Sequence, residues 1–222
     1  MVNPDDIIRD YGADSLRLYE MFLGPLEATK PWDSRGIEGV HRFLRKVWRE
    51  YVGEDGRMSS KISDSPDSDE VARAYHATIK KVTEDIDALR FNTAISSMMI
   101  FINSVQKAGS LNRATAEGFL KLLAPFAPHA AEELWSRIGM TGLISEAGWP
   151  VHDPEMLVAS TITIVIQVNG KLRGDLNVPP DITEEHAVAQ AKAHPKVTPF
   201  LEGRKLRKTI FVRGRLVNFV VG

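Results

Sequence analysis

The chain has 222 residues, 43% hydrophobic and 26% charged, with 28 Lys+Arg against 29 Asp+Glu and a formal net charge of −1. That is ordinary globular composition, long enough for one large or two small domains with a real core. It has no cysteine, which excludes a disulfide framework, thiolate zinc sites and a cysteine nucleophile, and it has no apolar run approaching the roughly 18 residues of a membrane span and no signal peptide, so a cytoplasmic protein without a membrane partner is expected.

In chain order, Asn3 is a good helix cap, Pro4 suits the first helical position, and Asp5 and Asp6 put negative charge where the helix dipole favours it, so a helix is expected to begin almost at residue 1. From Ser34 to Tyr51 the residues Val40, Phe43, Leu44, Val47 and Tyr51 recur at three- and four-residue spacing, and Arg42, Arg45, Lys46 and Arg49 form a basic stripe on the remaining surface. A Gly/Ser/Asp-rich loop (53–67) leads to a helix over 69–89, with Val71, Tyr75, Ile79, Val82 and Ile86 as its buried face. Residues 91–108 are apolar almost all round and predict a bundle centre, ending at Gly109; helices over 115–123 and 128–138 follow, broken at Pro125 and Pro128. Short connections between some five helices make an antiparallel bundle.

The helical period stops at Trp149-Pro150-Val151-His152-Asp153-Pro154, which reads as a linker or interdomain strap and places a boundary near 150–160. Ile162, Ile164, Ile166 and Val168 alternate at period two before Asn169-Gly170, a strong hairpin signal. Thr183 can cap a helix that Pro195 stops, and residues 209–212 and 216–220 read as two strands joined at Gly214. The fold class is therefore multidomain, α then α+β, with a helical bundle followed by a small ββαββ domain.

No catalytic constellation emerges. His41, His76, His129, His152, His186 and His194 show no metal-ligand spacing, Gly170-Lys171 lacks the rest of a phosphate loop, and paired acids such as Glu132-Glu133 read as solvated helix faces. Two regions carry nucleic-acid chemistry. Residues 160–222 hold ten cations against five acids, while residues 1–159 carry a charge of −6, and six of those cations (Arg204, Lys205, Arg207, Lys208, Arg213 and Arg215) crowd one strand pair, with Lys171 and Arg173 expected to join them across the sheet. The alternative is that they keep an exposed sheet edge soluble. The second region is the Arg42, Arg45, Lys46, Arg49 stripe, which would lie along an RNA backbone or, alternatively, pair with bundle acids. Trp32, Trp48, Trp135 and Trp149 read as packing residues.

Gly12-Ala13-Asp14-Ser15-Leu16-Arg17, the run from Gly24 to Trp32 (GPLEATKPW), Gly36-Ile37-Glu38-Gly39, Phe91-Asn92-Thr93-Ala94, Ala124-Pro125-Phe126-Ala127-Pro128-His129 and Gln167-Val168-Asn169-Gly170-Lys171 occur in one order and resemble the bacterial-type leucyl-tRNA synthetases of class I. The first and fifth of these would also fit the isoleucyl and valyl enzymes. The resemblance implies a C-terminal fragment: residues 1–33 a helical connector behind the ATP loop, 34–150 an anticodon-binding-type bundle, 151–160 a linker and 161–222 an α+β tRNA-binding domain. It implies tRNA(Leu) as partner, met at its inner face and long variable arm, with Arg42 and Lys46 facing the tRNA. Leucine activation with ATP and magnesium, and editing, would lie in the missing N-terminal part, leaving the fragment without cofactor or catalytic residues. Arg57-Met58-Ser59-Ser60-Lys61 loosely echoes the family's ATP loop, but that loop would precede residue 1, so this copy is read as a solvated loop. The rival from another class is a helical protein-interaction scaffold.

Overall fold

The computed structural model describes residues 3–25, 32, 34–158 and 162–222, with only the backbone of 34 and 35. Most of the GPLEATKPW run, residue 33 and the end of the expected linker lie outside the described residues. The chain divides into two compact units, Met1–Leu157 and Val158–Gly222.

In the first unit α1 (Pro4–Tyr11) begins where Asn3 Oδ1 accepts from the Asp5 amide at 3.2 Å, and stops at Gly12, whose φ of +87° favours glycine. The chain restarts at once as α2 (Ala13–Phe22). In α3 (Ser34–Tyr51) Val40, Phe43, Val47 and Tyr51 of the expected apolar face are at most 4% exposed, Leu44 is half-buried, and Ile37 extends the buried face. Tyr51 donates from its hydroxyl to Ala116 O at 2.8 Å, and burial holds that phenol far above its ordinary pKa.

The loop expected after α3 contains a short strand, β1 (Ile62–Ser63). The helices α4 (Asp69–Asp87), capped by Ser68, and α5 (Phe91–Ala108) form a hairpin, and β2 (Leu111–Asn112) then pairs in parallel with β1. Expectation and structure differ at α5: it buries Ala94, Ile95, Met98, Phe101, Ile102 and Val105 but leaves Ile100 65% exposed, so one face is open. The helices α6 (Arg113–Leu123) and α7 (Pro128–Arg137) complete the bundle. At Gly118 a Cβ would come 2.7 Å from Tyr75 Cζ, so only glycine lets α4 approach α6 this closely.

Lys61 is only partly solvated, where the sequence suggested an open side chain. Its Nζ lies 2.7 Å from Oε2 of Glu50, a residue only 2% exposed, so the segment resembling an ATP loop is tied to α3 by an ion pair; Arg57 alone stays open, its side chain 87% exposed. Removing one partner of a buried pair strands the other charge. Lys61→Met is expected to cost about 2 kcal/mol, less than a fully buried pair because the lysine is partly exposed, read as a lower denaturation midpoint at unchanged denaturant slope.

Two runs that sequence comparison alone treats as separate motifs meet in space. Asp14, 8% exposed at the start of α2, accepts from the backbone amides of His129 (3.4 Å) and Ala130 (2.7 Å) and from His129 Nδ1 (2.8 Å). The α7 cap residue, Ala127, has no side-chain oxygen to offer, so a carboxylate 115 positions before His129 does its work. Arg17 adds Nε and Nη2 bonds of 3.2 and 2.9 Å to Pro125 O.

Past α7, short 3₁₀ turns at Ile144–Glu146 and Glu155–Leu157 carry a strap bonded to the bundle. Trp149 Nε1 donates to Thr83 Oγ1 (2.9 Å) and the Asp153 amide to His76 Nδ1 (3.0 Å). That bond needs neutral imidazole, and burial lowers the His76 pKa in the same direction.

The second unit is a four-stranded sheet with helices on one face. Strands β3 (Ile162–Val168) and β4 (Lys171–Val178) form the first hairpin, α8 (Glu184–Ala193) and the short α9 (Thr198–Leu201) cross, and β5 (Leu206–Val212) and β6 (Leu216–Val221) form the second. The order is β4-β3-β6-β5, with β3 and β6 parallel at the centre. Its core joins Ile164, Ile166, Val217 and Phe219 to Ala187 and Ala191 of α8.

Candidate nucleic-acid interface

The basic stripe of α3 is built by helical spacing: Arg42 to Arg49 spans seven residues, about 10 Å of axis. Arg42, Arg45 and Arg49 are exposed, and Lys46, half-buried, donates to Asn103 Oδ1 of α5 at 3.0 Å. Arg42 and Lys46 flank a groove between α3 and α5 floored by Phe43 and Met99. The alternative of pairing with bundle acids does not occur: among the described residues none of these four cations forms an ion pair, although Glu38 stands four positions before Arg42. Trp135 packs in the bundle core and Trp32 against it, as expected, whereas Trp48 and Trp149 remain 36% and 40% exposed. Trp135 is 4% exposed under Lys121, and Trp48 lies beneath the Arg137 guanidinium at 5.2 Å.

In the second unit the sheet order corrects one expectation. β4 and β5 are opposite edges, so Lys171 and Arg173 stand three strand spacings, about 14 Å, from the β5 cations. Arg173 is further withdrawn. It is the extra residue of a bulge opposite Ile166/Gln167, its guanidinium stacks 3.9 Å from the Phe200 ring, and its buried Nε has no partner. Lys171 follows the Asn169-Gly170 turn, which parallel pairing of β3 with β6 brings to the end of the sheet where Lys205 and Arg207 lie.

The run 204–215 is also divided. A bulge between Leu206 and Lys208 leaves Arg207 unpaired, with Lys208 on the sheet face away from the helices, while Arg213 and Arg215 sit at the hairpin turn, about 20 Å from Arg207 along the strand. All six side chains are exposed. Among the described residues every ion pair lies in the first unit, and none of the ten cations of the second has an acidic partner. On the helix-free face Leu172 (65% exposed) stands at the β4 edge and Ile210 (36%) and Val212 (40%) at the β5 edge, with Gln167 and Asn218 between them. Ile210 and Val212 had a signal in the sequence, the period-two alternation that follows Lys208, which the density of charge there masked.

A cavity of about 560 Å3 at the α6–α7 corner is lined by His129 and Ser145, and Asp14 holds the His129 ring. This is not a nucleophilic triad, because no hydrogen bond joins His129 to Ser145. No metal-binding cluster and no helix long and apolar enough to cross a membrane occur among the described residues.

The sequence model of the anticodon-binding domain of tRNA ligases matches residues 69–188, more than half of the chain. The chain belongs to that family. The matched part of this anticodon-binding domain protein runs from α4 through the β3–β4 hairpin into α8. Among solved structures, the whole chain is similar to LeuRS in the LeuRS–tRNA–LeuAMS ternary complex of Agrobacterium radiobacter K84, at 28% identity and a TM-score of 0.70. It spans 30% of that protein's chain.

Proposed function

We propose that this chain is the tRNA-binding part of a leucyl-tRNA synthetase, docking and orienting tRNA(Leu) at its inner face and long variable arm. Residues 1–33 serve as the connector, 34–150 as the anticodon-binding bundle, 151–160 as the linker and 161–222 as a ββαββ tRNA-binding domain. Leucine activation with ATP and magnesium, and editing, belong to a catalytic part outside these residues; alone the chain takes no cofactor and is inert. The observation that carries the reading is the set of unneutralised cations: among the described residues Arg42, Arg45 and Arg49 on α3 and the exposed cations at both ends of β5 lack acidic partners, while cations elsewhere in the bundle, such as Lys61, Lys81 and Arg90, are paired. Surface cations left open in this way neutralise phosphates and release counterions. Likeness to a LeuRS along the whole chain supports the leucyl assignment.

The test is titration with leucine tRNA, the same tRNA without its variable arm, and a short-arm tRNA, at low and near-physiological salt. Preference for the intact long arm is expected, and replacing both Arg207 and Lys208 with alanine should lower the salt slope by about 1.5. Equal weak binding to all three would overturn the leucyl reading. Absence of RNA retention at physiological salt would favour a protein-interaction scaffold, and aminoacylation by the pure chain would refute its inertness.

A further inference from the structure

The second unit holds a cavity of about 380 Å3 beside the β5 edge, on the helix side of the sheet and away from the open face described above. Leu201, Leu206 and Val221 give it an apolar lining, and Lys192, Glu202 and Arg204 bring charge to it. Its shape is fixed by backbone. Gly203, at φ +69°, reverses the chain after α9, the Arg204 amide donates to Leu201 O at 3.2 Å, and Lys205 exchanges two 3.1 Å bonds with Gly222, which holds Leu206 opposite Val221. Thr198, also in the lining, spends its hydroxyl on the carbonyls of Lys192 and His194. Lys192 and Arg204 have no acidic partner among the described residues, and Leu206 remains 39% exposed for want of anything to cover it.

A volume in the usual range for a small-ligand site, with an apolar lining and two free cations, fits a flat, largely apolar body that carries an anion beside it. A free inorganic anion would leave the lining uncovered, and a base held in a duplex cannot reach in, because a paired and stacked base presents only its edges. We infer that this cavity receives the base of one unpaired RNA nucleotide, with Lys192 and Arg204 on its phosphates and Lys205 and Arg207 on the next ones along the strand. The inference rests on the reading of the chain as an RNA-binding protein and deepens it by naming the nucleotide state that is recognised. Glu202 supplies an acceptor for an amino or imino hydrogen of the base, and the Arg204 guanidinium supplies a plane for it to stack on.

The experiment uses the full chain with three probes: the single-stranded hexanucleotide rA6, a 12-base-pair RNA duplex, and inorganic phosphate, each followed by methyl NMR. With rA6 the methyls of Leu201, Leu206 and Val221 are expected to shift, while those of Ile210 and Val212 on the opposite face move less; the duplex and phosphate should leave the cavity methyls in place. Replacing Lys192 and Arg204 together with alanine should weaken rA6 by roughly tenfold, and Leu206→Trp, which fills the cavity, should abolish the shifts of Leu201 and Val221 while duplex binding persists. Binding of rA6 without cavity shifts, or equal cavity shifts with the duplex, would overturn the inference and leave the RNA-binding reading intact. If neither RNA binds at low salt, that reading fails and takes the inference with it.

Discussion

Asp85→Ala is expected to destabilise the bundle by about 3 kcal/mol, lowering its melting temperature by about 6–12 °C. The residue is fully buried in the last turn of α4, where a helix dipole disfavours negative charge. It is retained because three donors converge on it: Lys81 Nζ at 2.7 Å, Arg90 Nε at 2.8 Å and Thr93 Oγ1 at 2.5 Å. These close the α4–α5 corner, where Leu89 adopts a positive φ of 55°, a conformation a leucine does not choose freely. Burial pushes the Asp85 pKa up, but hydrogen bonds from Lys81, Thr93 and Arg90 and the Lys81 charge outweigh it and hold the carboxyl below its ordinary value. A lowered folded pKa means that the carboxylate stabilises fully above about pH 4 and that its contribution is lost as pH falls through the folded value. Wild type and Asp85→Asn should therefore differ most at neutral pH and converge in acid. A stability gap independent of pH would show that the ionised carboxylate is not what holds the corner.

Asp14→Ala should cost a similar amount, about 3 kcal/mol, through a different mechanism. It leaves the amides of His129 and Ala130 at the start of α7 without an acceptor and detaches α2 from α7. Asp14→Asn keeps one oxygen for the helix end and should recover about half of the loss. Calorimetric melting of the three proteins checks the order, and an alanine variant that melts with wild type would remove Asp14 from any structural role.

What could be read from the sequence was local. The caps at Asn3 and Thr183 and the Asn169-Gly170 turn, whose φ values are 49° and 76°, follow from side-chain and backbone preferences that act over two or three residues. The buried faces of α3 and α4 follow from the helical period. What could not be read is where distant residues meet. Nothing near Asp14 says that it caps a helix at His129, 115 positions later, and nothing near Lys61 says that Glu50 is buried beneath it. The cationic residues of the candidate interface were recognisable by type, but their division was not, because strand order, set by the parallel β3–β6 pairing, decides which charges share an edge. The open face of α5 at Ile100 was missed because an apolar helix looks the same whether or not every side has a neighbour.

The α2–α7 clasp also bears on how the first unit acquires its structure. The α4–α5 hairpin is joined by three residues and closes at little entropic cost, whereas bringing residue 14 to residue 129 closes a loop through most of the bundle. Long-range closure of this kind comes late, after local pairs have formed a surface to receive it. Docking of α2 is then a late step in folding, and weakening it should act chiefly on the unfolding rate while the rate of bundle formation stays nearly unchanged.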